Sequence, residues 1–325
     1  MAYSASVISR AKARLEQDRQ AAAADDDRRI AAIYEKCPRL EEIDRALRAT
    51  MAKVMTATFS AGGDTQTALE TVRKENLALQ QERSWLLQAN EIDESDLERQ
   101  PVCPLCGGTG YVGERMCECL RELCRQEQTK ELSGLLAGRE TFDGFCLDYY
   151  PEGKPRQEME RVKNACIEYA KTFTAGAPSM LFTGGTGLGK THLSACIARQ
   201  VAENGYSVVY DTAGQLFSDF EAAKFGGYDD ENQSRTKRYL ECDLLIIDDL
   251  GTEMITQFTQ SVLYQVINTR MIAQHATIIS TNLTPNELKD RYLPQIFSRL
   301  FGTFKVWQFY GEDIRFLRRK KGAMP

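Results

Sequence analysis

A chain of 325 residues with 42% apolar and 27% charged side chains has the balance of a water-soluble globular protein and the length for about two domains. Its net charge of −5 excludes a generally basic nucleic-acid coat, so any such contact would rest on local patches. No apolar run approaches the ~20 residues a membrane span requires, and the first ten residues lack a secretory apolar core, so the expected location is cytoplasmic with no membrane partner.

Residues 1–100 read as a helical module of two or three long helices. Val7, Ala11 and Leu15 recur at helical spacing, and the run Asp25-Asp26-Asp27 that follows is expected to be a solvated face. Pro38 sits where a helix would begin. Leu40, Ile43, Leu47, Met51 and Val54 share one face beyond it, Ala61–Asp64 breaks the pattern, and Leu69, Val72, Leu79 and Leu86 form a second seam beside Trp85. These seams suit internal packing better than a partner groove. The module carries no chemistry, so interaction is its expected role.

Five of the ten cysteines cluster between Cys103 and Cys124 and the others are scattered, which fits reduced thiols plus a metal site better than disulfides. Cys103-x-x-Cys106 is followed by glycines that admit a tight turn, and Cys117-x-Cys119 supplies a second pair, making 101–124 a closed, structural zinc knuckle. The one-residue gap of the second pair is less common than two, so Cys124 stands as an alternative to Cys117 or Cys119. Residues 125–175 read as a linker. A helix over Leu120–Leu136, an aromatic extended stretch with Gly138 and Thr141–Pro151, and a helix over Arg156–Phe173 are expected.

The remaining residues, 176–325, are organised around Met180 to His192. Met180-Leu181-Phe182 predicts a short buried strand, and Leu193–Glu203 a helix stopped by Asn204-Gly205. Between them Gly184-Gly185-Thr186-Gly187-Leu188-Gly189-Lys190-Thr191 fits G-x-x-x-x-G-K-[S/T], with His192 next. Glycines let backbone N–H groups turn inward on phosphate oxygens that Cβ atoms would obstruct, and the helix N-terminus adds partial positive charge. Lys190 supplies a point charge to the β- and γ-phosphates and the Thr191 hydroxyl completes a Mg²⁺ site, so ATP with magnesium is the expected ligand.

Ser207–Asp211 reads as the next strand, Thr212–Lys224 as a helix and Phe225–Glu231 as a polar loop. Leu244-Leu245-Ile246-Ile247 ending in Asp248-Asp249 describes a buried parallel strand whose C-terminal end reaches the phosphate loop. Asp248 suits water-mediated magnesium binding and Asp249 could polarise the attacking water. After a helix over Thr256–Gln274, the strand Ala276–Asn282 ends in a residue that either senses a γ-phosphate or opens the turn before Thr284-Pro285-Asn286-Glu287, a capping-box helix start. That helix is expected to run on to Arg299, followed by a strand over Thr303–Phe309, a turn at Gly311, and Arg315. By residue type alone each of the two arginines reads as a surface ion-pair group rather than a phosphate ligand. Arg318–Lys321 reads as a nucleic-acid contact or a helix-dipole cap, and Tyr206, Tyr210, Phe225 and Tyr228 as stacking groups or as core and loop aromatics.

From about Thr141 to Lys320 the chain resembles AAA+ ATPases, and within them bacterial replicative helicase loaders of the DnaC/DnaI type and the related IstB transposition helpers. Thr141-Phe-Asp-Gly-Phe145, the phosphate loop, Leu244–Gly251, Ser280-Thr-Asn282, Phe297-Ser-Arg299 and Gly311-Glu-Asp-Ile-Arg315 carry the likeness. It implies an α/β fold, an AAA+ P-loop core of parallel sheet flanked by helices, preceded by the helical module and the zinc knuckle. It implies that Asn282 is the first sensor, Arg299 an arginine finger reaching a neighbour's ATP, and Arg315 the second sensor. The second acid is Asp249 rather than Glu, which stands further from the water and suits slow, switch-like hydrolysis. Three functions follow as expectations. The first is a loader of a hexameric DnaB-type helicase onto single-stranded DNA, self-associating with ATP. The second is a transposase helper working on duplex DNA, and the third a zinc adaptor that binds ATP without turning it over.

Overall fold

The computed structural model describes residues 3–50, 65–135, 140–226 and 230–320. Met51, Val54, the Ala61–Asp64 break, Leu136, Gly138, Tyr228 and Lys321 lie outside them. The chain divides into two compact units: Arg14–Arg115, and Met1–Ala13 together with Met116–Pro325.

Three α-helices are described before the cysteines: α1 (Ala5–Lys36), α2 (Pro38–Arg48) and α3 (Thr65–Ala89). Pro38 starts α2 within its first turn, where a missing N–H costs nothing. Helices α2 and α3 meet through Leu40 and Leu87 with Cys37 beside them, while Leu86 of the expected seam is only partly buried around them with Ile92 and Leu97. Arg83 of α3 pairs with Asp44 of α2 at 2.6 Å. Trp85 is 64% exposed. The acidic run departs from expectation. Asp25 and Asp27 face solvent, but Asp26 is only 5% exposed. It pairs with Arg29 at 2.8 Å and accepts the Gln100 N–H at 2.9 Å. A carboxylate this buried would be costly without partners, and the Arg29 guanidinium and the Gln100 N–H supply them.

A two-stranded hairpin, β1 (Tyr111–Val112) and β2 (Arg115–Met116), links the cysteine pairs and leads into α4 (Glu118–Leu135). After α5 (Lys154–Lys171) come β3 (Met180–Thr183), α6 (Lys190–Glu203), β4 (Val208–Thr212), α7 (Ala213–Phe225), α8 (Asp230–Glu241), β5 (Leu244–Leu250), α9 (Gln257–Ile272) and β6 (Ala276–Thr281). The chain closes with α10 (Pro285–Arg291), α11 (Pro294–Thr303), β7 (Lys305–Gln308) and α12 (Ile314–Lys320). The strands form one parallel sheet in the order β4-β5-β6-β3-β7. Along β5, Leu244 and Ile246 pack with α5 and α6 on one face, while Leu245 and Ile247 pack with α7, α9 and α11 on the other. A strand buried on both faces needs the unbroken apolar run that its sequence shows. This is the α/β core of parallel sheet flanked by helices that the sequence led us to expect.

Two elements differ from the reading. The expected single helix to Arg299 is two, α10 and α11, because Pro294 has no N–H to continue it. Tyr292 and Arg291 at the break bond Glu253, respectively at its carboxylate and at its carbonyl. Helix α8 follows the expected loop, and among its described side chains only Tyr239 is fully buried. Tyr239 and Arg238 anchor it to Asp211 and Asp219.

The core unit includes its N-terminal residues. Val7 and Ala11 are buried, Tyr3 donates its hydroxyl to the Gly205 carbonyl at 3.0 Å, and Arg10 pairs with Glu131 at 2.5 Å. On α4, Gln128 accepts the Val208 N–H at 2.9 Å and donates to the Tyr206 carbonyl, so the free edge of β4 is partly covered.

Candidate functional site

Because β6 lies between β3 and β5, the C-terminal ends of all three strands open side by side. Gly189 caps the start of α6 with φ of 89°, and a Cβ there would stand 2.6 Å from the Phe145 ring. Gly187, with φ of 74°, would place a Cβ 2.0 Å from Asp313 Oδ1, and its carbonyl accepts the Ile314 N–H at 3.0 Å. Both positions require glycine for conformation, and Gly189 requires it for space as well, against the buried Phe145 ring.

Lys190 is 4% exposed. It donates at 2.7 Å to each of the Gly184 and Gly185 carbonyls and to Asn282 Oδ1. Burial pulls its ammonium down to about 8, against the opposing pull of Asp249 and Asp248. Burial, with the Asp248 charge next to it, raises the Asp249 carboxyl, which Lys190 and Arg315 partly offset. Asn282 also helps to hold the Asp249 carboxyl down.

The two acids differ in their surroundings. Asp248 is 4% exposed. Its Oδ2 accepts from Tyr210 OH at 2.8 Å, and its Oδ1 accepts from Ser280. The same Ser280 oxygen accepts the Asp249 N–H at 3.0 Å. The β5–β6 register shifts between Ile247 and Leu250, and Asp249 takes a left-handed φ of 55°. A non-glycine residue held there is strained, and such strain gathers at functional sites. The shift aims the Asp249 side chain into the cleft while Asp248 stays behind it.

The cleft has a volume of about 300 Å³. Thr186, Gly187, Leu188, Gly189, Lys190, Thr191, His192, Asp249, Asn282 and Arg315 line it. Arg299 does not. It lies on α11 against Tyr264 and Asn268 of α9. One wall was not foreseen. The stretch read as a linker folds over the phosphate loop, with Phe145 and Tyr150 stacked at 5.6 Å and Tyr150 OH donating to the Leu188 carbonyl at 2.8 Å. His192 reaches the Thr141 carbonyl at 2.8 Å. The density of aromatics in Phe142–Tyr150 was the available signal. Of the candidate stacking groups, Tyr210 is core and bonded to Asp248, Tyr206 packs on Phe173, and Phe225 is 69% exposed.

The sulfurs of Cys103, Cys106, Cys117 and Cys119 lie within 4.8 Å of one another. Around a tetrahedral zinc with bonds of about 2.3 Å they would stand about 3.8 Å apart, a small contraction. The Gly110 N–H donates to Cys106 Sγ at 3.3 Å, which suits a thiolate. The set could therefore hold zinc with no position left open. Cys124 is not part of it: it is fully buried on α4, and burial pushes its thiol up to about 11.

Known proteins match the same region. The "Replicative helicase loader DnaC" of Buchnera aphidicola subsp. Baizongia pistaciae is 27% identical over 155 residues, 47% of this chain and 63% of that protein's length. The "Chromosomal replication initiator protein DnaA" of Aliarcobacter butzleri is 28% identical over 171 residues, 53% of this chain and 36% of that protein. A solved structure, "Crystal structure of the DnaC helicase loader", aligns with a TM-score of 0.46 at 20% identity over 53% of this chain and 97% of that one. The family described as IstB-like ATP binding protein matches residues 154–321. That span is just over half of the chain and contains the phosphate loop, both acids and Asn282, and the chain belongs to the IstB-like ATP-binding protein family.

Proposed function

We propose that the protein is an ATP-driven loader that places a hexameric DnaB-type replicative helicase on single-stranded DNA, using ATP binding and hydrolysis as an assembly switch. The observation that carries this is the Lys190–Asn282–Asp249 contact. The charge that would receive a γ-phosphate, the amide that would sense it and the carboxylate that would polarise water are linked in the cleft. The three Lys190 N–H groups are taken by the Gly184 and Gly185 carbonyls and by Asn282, so a phosphate arriving there must displace one of these partners, and occupancy becomes a change of local arrangement.

In this reading the loop N–H groups and Lys190 hold the phosphates. Thr191 would take magnesium through its hydroxyl and Asp248 through water, because both Asp248 oxygens already accept protein hydrogen bonds. Magnesium would supply charge neutralisation along the phosphates. Asp249 polarises the water, Arg315 contacts the same subunit's nucleotide, and Arg299 contacts the nucleotide of a neighbour in an ATP-dependent self-assembly. Residues 1–100 hold the helicase, 101–124 form a zinc brace, 125–175 join it to the ATPase core of 176–325, and the complex works in the cytoplasm. The match to a protein named as a helicase loader supports this direction. The second reading, an ATPase helper of a transposase, rests on the likeness to IstB transposition helpers, with whose family name the matching model agrees.

The test is a titration of the full-length protein against the replicative helicase of its own source, with ATP and with ADP. Tight binding with ATP, weakened at least tenfold by ADP, is expected. No binding with either nucleotide overturns the loader reading and brings the transposase helper forward.

A further inference from the structure

Arg299 stands apart from the cleft that holds Arg315, yet four of its guanidinium's five N–H groups are engaged. Tyr264 and Asn268, one helical turn apart on α9, face it. Asn268 Oδ1 accepts from Nε at 3.2 Å and from Nη2 at 2.8 Å. The second Nη2 hydrogen goes to Tyr264 OH at 3.0 Å, and Nη1 donates to the Gln295 carbonyl at 3.2 Å. The guanidinium carbon lies 4.6 Å from the centre of the Tyr264 ring.

A guanidinium offers five N–H groups, and its paired edges are the forks that match the oxygens of a carboxylate or phosphate. Here the Nε/Nη2 edge is closed on a neutral amide oxygen, and Nη2 has no hydrogen left to give. We propose that Asn268, with Tyr264, is a clamp within the chain that withholds Arg299 until a neighbouring subunit's ATP displaces the Asn268 amide. This rests on the reading of Arg299 as a group acting on a neighbour.

The competition has a definite sign. Hydrogen bonds from a guanidinium to an anion are roughly twice as strong as those to a neutral acceptor, so a phosphate presented in register wins. In the lone subunit the amide has no rival. Tyr264 shields one face of the cation and keeps the group near its place when the amide lets go. Asn268 therefore sets the protein concentration at which subunits begin to turn over one another's ATP. Asn268 and Tyr264 are positioning residues, since neither lines the cleft.

The experiment follows phosphate release per subunit against protein concentration for the full-length wild type, Asn268→Ala, Asn268→Asp and Arg299→Ala. Freeing the fork in Asn268→Ala should lower the half-activating concentration about fivefold. The carboxylate of Asn268→Asp should hold the fork harder and raise it by at least as much. ATP affinity of the single subunit should stay unchanged in both. Shifts of the same direction in the two variants, or no shift, overturn the clamp. If Arg299→Ala keeps full turnover and the same concentration dependence, the underlying reading of Arg299 fails first, and that result is separable from the Asn268 pair. Tyr264→Phe, which removes one Nη2 acceptor and keeps the ring, should shift in the Ala direction by less. It replaces Asn268→Ala should that variant fail to fold, and no shift in it would count against the clamp.

Discussion

Lys190 carries its charge in surroundings that disfavour it. Burial brings its ammonium from 10.5 to about 8 although Asp249 and Asp248 oppose the change. A group so lowered is charged below pH 8 and loses its proton as pH rises through that value. Bound phosphate favours the charged form, so binding above pH 8 takes up a proton. ATP affinity should fall about tenfold between pH 7 and 9, and calorimetric heats there should depend on the ionisation enthalpy of the buffer. An affinity flat across that range would remove this account of Lys190. The residues of the loop, the two acids and Asn282 were legible in the sequence because each sits in a short contiguous pattern whose spacing the chemistry dictates. Phe145 and Tyr150 were not, because their approach to Gly189 and Leu188 depends on how a distant segment folds back. The different surroundings of Asp248 and Asp249 were equally hidden, since Tyr210 and Ser280 reach them only through strand pairing.

At the level of elements, ends proved easier to read than extents. The Thr284 hydroxyl accepts the Glu287 N–H at 3.3 Å and the Glu287 carboxylate accepts the Thr284 N–H at 2.7 Å, the reciprocal cap that Thr-Pro-Asn-Glu implied. Thr284→Ala should lower the unfolding free energy by about 1 kcal/mol, and Thr284→Ser by much less, read from the denaturant midpoint at constant slope. Equal losses in the two would show that the methyl group, not the cap, matters. Helix α8 was missed because its sequence is nearly all polar and its stability comes from a buried Tyr239–Arg238 anchor rather than an apolar stripe. Asp26 was misread for the matching reason. A charge run looks solvated until a distant backbone N–H, here that of Gln100, arrives to claim one of its members.

For the molecule as a whole, the cysteine cluster and the nucleotide cleft draw on separate residues. One zinc per chain should be found by elemental analysis, and Cys106→Ser should lose it. ATP affinity should survive that loss within about twofold, because no cluster cysteine contributes to the phosphate loop. Loss of ATP binding together with zinc would mean that the two sites are coupled through the fold. A different consequence follows from the Tyr3–Gly205 bond, which joins residues 202 positions apart. Tyr3 to Ala13 are synthesised long before the strands and helices they lie against, and the whole of Arg14–Arg115 is made in between. The ATP-binding unit is thus interrupted in sequence while continuous in space, and its opening turns must wait for some two hundred residues of synthesis before they find their place.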